Sequence, residues 1–320
     1  MESHEPQNSM GFQLPLNKLL ADVPFEEYAR ADGINAGGLQ EIFERSPAHY
    51  LESRKNPVSE KESDALRFGK VFHYAVLEPH LYQDRVVVMP EFMAPTKDGK
   101  MSNRSAGAIQ QKKEWLAQVR PDQSVVTAEE QEKIFRMCEK ILNHELACGL
   151  LTNSVRETSM SWIDPKWGVR CKVRPDFISD RGVCVNLKTA EHAGPDHFWN
   201  ACRNHFYDMA AAHYCAGGTA TGLYRGDSQV FLVIEKKAPW EIAVYVPDAG
   251  ILLAGEERRE VAMEKYATCF KTNTWPGYPK SAMTLSYPPW MMERIYKDAE
   301  TRTQNEVPDF MKEVPNEVDR

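Results

Sequence analysis

The sequence predicts a mixed α/β fold with a mainly helical first half and a sheet in the second, and three observations carry that prediction. Apolar residues recur at helical spacing through much of residues 37–151. From Glu157 the pattern changes to alternation, in "ETSMSWID", "WGVRCKVRPDF" and "GVCVNLKT". A helical stretch, "FYDMAAAHYCAGGTATG", then separates these runs from two more, "SQVFLVIEK" and "WEIAVYVP". Three strands, a helical crossover and further strands make a mixed sheet with helices packed on it.

The elements follow in order. Residues 1–15 are polar and punctuated by Pro and Gly, so order is not expected there. "GGLQEIFERSPAHYLESRK" places Leu39, Ile42 and Phe43 on one helical face. In "ESDALRFGKVFHYAVLEP", Ala65, Phe68, Phe72 and Ala75 form an apolar stripe, Ser63 or Asp64 serves as cap, and Pro79 limits the end. "RVVVMP" reads as a strand, and "EFMAPTKDGKMSNRSAG" as an exposed loop made basic by Lys97, Lys100 and Arg104. Helices are expected over "IQQKKEWLAQV" and "TAEEQEKIFRMCEKILNHELACGLL", the latter opening with Thr127 and Glu130 spaced as a capping box. "AGILLAGEERREVAMEKYATCFKT" is a further amphipathic helix. The expected organisation is a single domain over 16–290, helical over 16–155 and sheet-bearing over 156–290, with an extended tail at 291–320.

Composition narrows the function classes. Of 320 residues, 42% are hydrophobic and 27% charged, ordinary for a soluble domain. No apolar run approaches the roughly 18 residues needed to span a bilayer, and a secretory pattern is not visible, so a cytoplasmic setting is expected. Seven cysteines without a CxxC pair suit a reducing compartment, as small buried apolar groups. The net charge of −7 argues against indiscriminate nucleic-acid binding but leaves room for a local basic channel.

"RCKVRPDFISDRGVCVNLKTA" (170–190) carries the candidate chemistry. Read as two strands around a tight turn at Gly182 and centred on Arg181, it sets Asp176 opposite Asn186 and Arg174 opposite Lys188. Arg170, Lys172 and Arg174 then share one face of the first strand, and Asn186 and Lys188 one face of the second. A carboxylate, an amide oxygen and an ammonium clustered in this way suit divalent-metal phosphodiester hydrolysis. On spacing alone a solvated face of alternating charge is the better fit, because this pattern is common by accident.

"RPDF" followed by "NLKT" resembles the core of the PD-(D/E)XK nucleases. "RFGKVFHYAVLEP", "SPAHYLE", "ETSMSWID" and "WPGY" resemble, in order, segments of the RecE-type and phage lambda-type alkaline exonucleases. The resemblance covers most of residues 33–290 and implies a restriction-endonuclease-like fold. It also implies 5′-to-3′ digestion of linear duplex DNA to mononucleotides, leaving a 3′ single strand for recombination. Further implications are Mg²⁺, with Mn²⁺ as substitute, at two ions per site, a homotrimer around DNA ends and a single-strand annealing recombinase as partner. Carried over to this sequence, His73, Asp176, Asn186 and the Leu187 carbonyl would hold metal. Lys188 would orient or stabilise the attacking water, and Glu157 would support the metal or its waters, a plain cross-strand charge pair being the alternative. Arg174 and Arg30 would contact terminal phosphate.

Two positions depart from the pattern. Asn186 stands where the family has Asp or Glu, offering oxygen without charge, so impaired cutting is expected whether the asparagine is natural or introduced. Ala210 stands where Gln is usual, and His213 or Asp208 would take over a phosphate or water contact. Trp162, Trp167 and Trp199 are candidates to stack on an unpaired base, with core packing as the alternative. Competing functional readings are a non-catalytic DNA-end-binding scaffold and a metal-independent interaction domain.

Overall fold

The structure, a computed structural model, describes residues 12–55 and 63–305. The expectations for residues 1–11 and for 306–320 lie outside the described residues. The described residues fall into two compact units, divided after Gly277.

Helix α1 (Phe25–Arg30) precedes α2 (Ala36–Glu44), which Asn35 caps by accepting from the Gly38 amide. The single helix expected over 37–55 is two: Pro47 lacks an amide proton and starts α3 (Pro47–Lys55) afresh. Helix α4 (Asp64–Leu77) begins as expected, with Ser63 accepting from the Leu66 amide. Its buried face is Phe68, Val71, Phe72, Val76 and Leu77, whereas Ala65 is exposed. Pro79 opens α5 (Pro79–Arg85), and β1 (Val86–Val88) follows.

The expected loop at 91–107 contains a small hairpin, β2 (Ala94–Pro95) with β3 (Met101–Ser102), before α6 (Ala106–Leu116). Strand β4 (Ser124–Val126) runs parallel to β1. Helix α7 (Ala128–Asn143) has its capping box formed, and His144 breaks the run to cap α8 (Glu145–Leu151).

The second half divides more finely than its alternation suggests. It comprises β5 (Val155–Arg156), β6 (Met160–Ile163), β7 (Arg170–Val173), β8 (Phe177–Ile178) and β9 (Cys184–Ala190). Helices α9 (Pro195–Asn204) and α10 (Tyr207–Thr221) lead to β10 (Gln229–Glu235), β11 (Ile242–Tyr245) and α11 (Ala249–Thr272). In the second unit, Pro289–Asn305 is helical (α12), not extended as expected.

The five-stranded sheet has the order β11-β10-β9-β8-β5, with β9 and β10 parallel across the α9–α10 crossover and the other pairs antiparallel. This is a restriction-endonuclease-like mixed sheet flanked by helices. Alternation divides its faces. Val185, Leu187, Val230, Leu232 and Ile234 pack with Phe72, Ile134 and Met137 of α4 and α7. Phe231 and Val233 pack on the other face with Phe198 and Cys202 of α9 and Ala211 of α10. Each such fully buried side chain contributes about 1.5–3 kcal/mol, so α4 is fixed firmly against β9. Helices α10 and α11 approach closely at Gly255, where a Cβ would lie 2.1 Å from the Asp208 carbonyl oxygen.

The expected continuous hairpin over 170–190 is interrupted. Strand β7 pairs with β6 in a separate two-stranded sheet, and only β8 pairs with β9. Pro175 explains the break, since it has no amide for a ladder. The register beyond it holds: Phe177 faces Val185 and Ile178 faces Cys184, which sets Asp176 level with Asn186.

Candidate metal centre

Three chain segments meet at one end of β9. His73 comes from α4, one residue after the fully buried Phe72, whose packing fixes that helical face. Asp176 lies in the break before β8, where its Oδ2 accepts the Leu187 amide at 2.7 Å. Glu157 lies between β5 and β6 with φ +47, a left-handed backbone that re-aims its side chain. The Glu157 amide donates to the Asp176 carbonyl at 3.0 Å, tying the two carboxylate-bearing segments together.

His73, Glu157 and Asp176 each offer a ligand atom within 4.8 Å of the others. His73 Nδ1 is 3.8 Å from Glu157 Oε1 and 3.9 Å from Asp176 Oδ1. Its other nitrogen, Nε2, donates to the Leu187 carbonyl at 3.1 Å, so in the neutral ring the Nδ1 lone pair faces both carboxylates. An imidazole nitrogen and two carboxylate oxygens, largely withdrawn from water, form a donor set suited to a divalent cation.

The electrostatics follow from this crowding. Burial acts to lower the His73 pKa, but the Asp176 and Glu157 carboxylates outweigh it and raise it. Burial raises the Asp176 carboxyl against the pull of His73 and Lys188. Burial acts to raise Glu157 too, yet His73 and Arg174 bring it below the usual carboxylate range. Arg174 donates from Nε to Glu157 Oε2 at 2.8 Å, and from Nη1 to the Val23 carbonyl at 2.6 Å and Ser159 Oγ at 3.1 Å. Tyr214 in turn donates to the Arg174 carbonyl at 2.9 Å.

On β9, Asn186 and Lys188 point to the face opposite Leu187. Asn186 is buried, and the Lys188 ammonium sits 5.2 Å from the Tyr207 ring centroid. The Lys188 charge acts on both His73 and Asp176. Gly69, one turn before His73, faces β9: a Cβ there would meet Thr189 Oγ1 at an ordinary 3.7 Å.

The basic face expected from Arg170, Lys172 and Arg174 does not reach solvent as a row. Arg170 bonds the Leu14 carbonyl and Ser161, and the buried Lys172 ammonium bonds the carbonyls of Tyr28, Ala29 and Ala31. The N-terminal segment that covers them also bridges Leu16 to Ser161 and Ile34 to Cys171. Arg30 ends α1 and is exposed.

His213 cannot meet a phosphate. It is fully buried, accepting from Arg259 Nε at 3.3 Å and donating to the Lys172 carbonyl at 3.3 Å. Asp208 is likewise committed, to Arg258. Of the three candidate stacking tryptophans, Trp162 is buried, Trp167 is partly buried and bonded to Glu260, and Trp199 is half exposed.

Comparison with known proteins bears on the fold that holds these residues. Residues 39–285 match the model of a PDDEXK-like domain of unknown function (DUF3799). A crystal structure described as a "Putative exonuclease" from Eubacterium rectale superposes with a TM-score of 0.50 at 13% identity, covering 84% of this chain and 94% of that one. At that identity the likeness speaks for the fold. No curated protein matches the chain.

Proposed function

From a chain that belongs to the PDDEXK-like DUF3799 family, and so carries the PD-(D/E)XK nuclease fold, we propose a metal-dependent exonuclease acting on the ends of linear double-stranded DNA. The observation that carries this reading is the His73, Glu157 and Asp176 trio gathered beside Lys188. A bound Mg²⁺, or Mn²⁺ in its place, would lower the pKa of a water and offset phosphate charge.

The chain's own groups divide the remaining work. His73 presents Nδ1 because Nε2 is held by the Leu187 carbonyl. Arg174 holds Glu157, and the Leu187 amide holds Asp176, so both carboxylates are oriented before a cation arrives. Lys188 supplies a positive charge to the scissile phosphate and the attacking water. Asn186 brings an amide oxygen to the position level with Asp176, so one negative charge fewer is available there for metal. Glu157 supplies a second carboxylate, which supports retained binding of one ion with slowed hydrolysis; the expected second ion would be weakened most.

The finer properties rest on the resemblance to RecE-type and lambda-type exonucleases: 5′-to-3′ polarity, release of mononucleotides, and a 3′ strand passed to a single-strand annealing recombinase. A homotrimer around DNA and a nuclease domain spanning 16–290 belong to the same reading. A cytoplasmic setting accords with the fact that no described helix is long and apolar enough to cross a membrane.

Asn186 favours a second reading, a DNA-end-binding scaffold that does not cut. The deciding assay compares the chain, Asn186→Asp and Lys188→Ala on linear and circular duplex, with and without Mg²⁺. Mg²⁺-dependent loss of linear DNA alone, faster in Asn186→Asp and slowed by about two to three orders of magnitude in Lys188→Ala, supports the exonuclease. Binding of linear ends without cleavage by either the chain or Asn186→Asp leaves the scaffold.

A further inference from the structure

The β2–β3 hairpin and α6 form a small arm that shares no residue with the metal centre. Its parts are held together. Gly99, at φ +75, closes the hairpin tip, where the Thr96 amide donates to the Lys100 carbonyl at 2.8 Å and the Gly99 amide to the Thr96 carbonyl at 2.9 Å. Ser105 caps α6 shortly after β3, accepting from the Ala108 amide at 3.3 Å. A Cβ on Gly107 would lie 2.9 Å from the Ala94 Cβ, so helix and hairpin meet closely. Away from that contact the arm faces open space. Ala108 alone is buried among the residues of α6, and no described atom, sequence neighbours aside, lies within 4 Å of where a Gly99 Cβ would stand.

Charge on the arm is one-sided. Residues 94–116 carry five cations, Lys97, Lys100, Arg104, Lys112 and Lys113, against Asp98 and Glu114, a net +3 in a chain of net −7. All five are exposed, and none pairs with a carboxylate among the described residues. Surface cations elsewhere are matched, as in Arg67 with Glu130, Arg120 with Asp84 and Arg225 with Asp227. Helical spacing sets Ile109, Lys112, Lys113 and Leu116 on one exposed face of α6. Glu114 lies about 100° round the helix from Lys113, on the flank where it accepts from Gln110 Nε2 at 2.7 Å.

From these relationships we infer that the arm is a grip for duplex DNA, with the β2–β3 tip in a groove and the Lys112–Lys113 face of α6 against the phosphates. An unpaired basic surface on an acidic body concentrates the attraction for a polyanion on that surface. A two-stranded ribbon fits the major groove of B-DNA, a feature that single strands lack. Pro95 has no amide, so the β2 edge is blunted as a template for a partner protein's strand. That the polyanion is DNA rests on the nuclease reading, but the grip is measurable without cleavage.

The experiment is fluorescence anisotropy of a labelled blunt duplex with the full chain in EDTA, where metal-dependent cutting cannot occur, over a series of salt concentrations. Each phosphate contact contributes about 0.9 to the slope of log affinity against log salt. Lys112→Gln with Lys113→Gln, and separately Lys97→Gln with Lys100→Gln, should each lower that slope by about two, with the larger loss of affinity at low salt. The same pairs changed to Arg should keep the parent's slope, and the cleavage rate at saturating DNA should hold in all four. A parent slope retained in both Gln variants, equal losses on single-stranded and duplex DNA, or a parent that binds anionic phospholipid vesicles but not duplex would each overturn the grip. A chain that binds duplex through these lysines but never cuts, even as Asn186→Asp, instead defeats the nuclease reading alone. One that cuts linear duplex while the Gln variants bind with the parent's slope defeats this inference alone.

Discussion

Arg174 is committed to Glu157: its Nε donates to Oε2 at 2.8 Å while Oε1 of the same carboxylate faces His73 Nδ1 at 3.8 Å. The arginine is thus an orienting partner of a candidate metal ligand, in the place where the resemblance implies a terminal-phosphate contact. Outer partners of this kind typically change metal affinity or activity about 10- to 100-fold when removed. Arg174→Ala is therefore expected to raise the Mg²⁺ concentration for half-maximal cleavage by that factor, with a much smaller change in DNA affinity measured in EDTA. The reverse pattern, weakened DNA binding with an unaltered Mg²⁺ requirement, would restore the phosphate-contact role.

Asn186 gives a prediction readable without turnover. The side chain is buried level with Asp176, whose carboxyl burial already raises. A second carboxylate there is costly without a cation and favourable with one. Asn186→Asp should lower the thermal midpoint in EDTA and show a larger Mg²⁺-induced gain than the parent, because a ligand that binds only the folded state stabilises it in proportion to its affinity. Equal Mg²⁺ shifts in the two proteins would remove Asn186 from the metal centre.

Much of this centre was legible in the sequence, for identifiable reasons. The compact turn at Gly182, with φ +74, fixes the sum of paired residue numbers, so Asp176 and Asn186 fall level whatever the rest of the fold does. His73 and Glu157 emerge only from ordered resemblance across distant segments, since strand periodicity says nothing of a helix 114 positions away from Leu187. What the pattern cannot show is which covering segment meets a strand face. Arg170, Lys172 and Arg174 alternate as an exposed basic row would, yet carbonyls from Leu14, Val23, Tyr28, Ala29 and Ala31 occupy them. The sequence carries a weak signal for α9: Pro195 directly after Gly194, then Phe198 and Cys202 one turn apart, in a stretch of only ten residues.

Lys188 should separate binding from chemistry. Its ammonium acts on His73 and Asp176 and rests over Tyr207, so its removal leaves the trio's hydrogen bonds in place. In Lys188→Ala the rate at saturating DNA should drop by about two to three orders of magnitude, the usual effect of losing one preorganised group that stabilises transition-state charge. DNA affinity should change only a few-fold. A loss confined to DNA affinity would make Lys188 a phosphate anchor.

His213 sets an acid limit on the fold. Burial, reinforced by the Arg259 guanidinium, pulls its pKa down to about 3, and its ring is neutral, with Nδ1 accepting from Arg259 and Nε2 donating to the Lys172 carbonyl. In the unfolded chain histidine titrates near its ordinary value of about 6.5, so between pH 6.5 and 3 the unfolded state binds the extra proton. The contribution is complete above about pH 6.5 and is lost as pH falls toward 3, by at most roughly 1.4 kcal/mol per pH unit. Urea midpoints of the parent should therefore fall between pH 7 and pH 5. Those of His213→Gln, lower at pH 7 because the imidazole packing against Trp162 is lost, should fall less steeply. Parallel pH profiles for the two proteins would show that His213 does not carry the acid sensitivity.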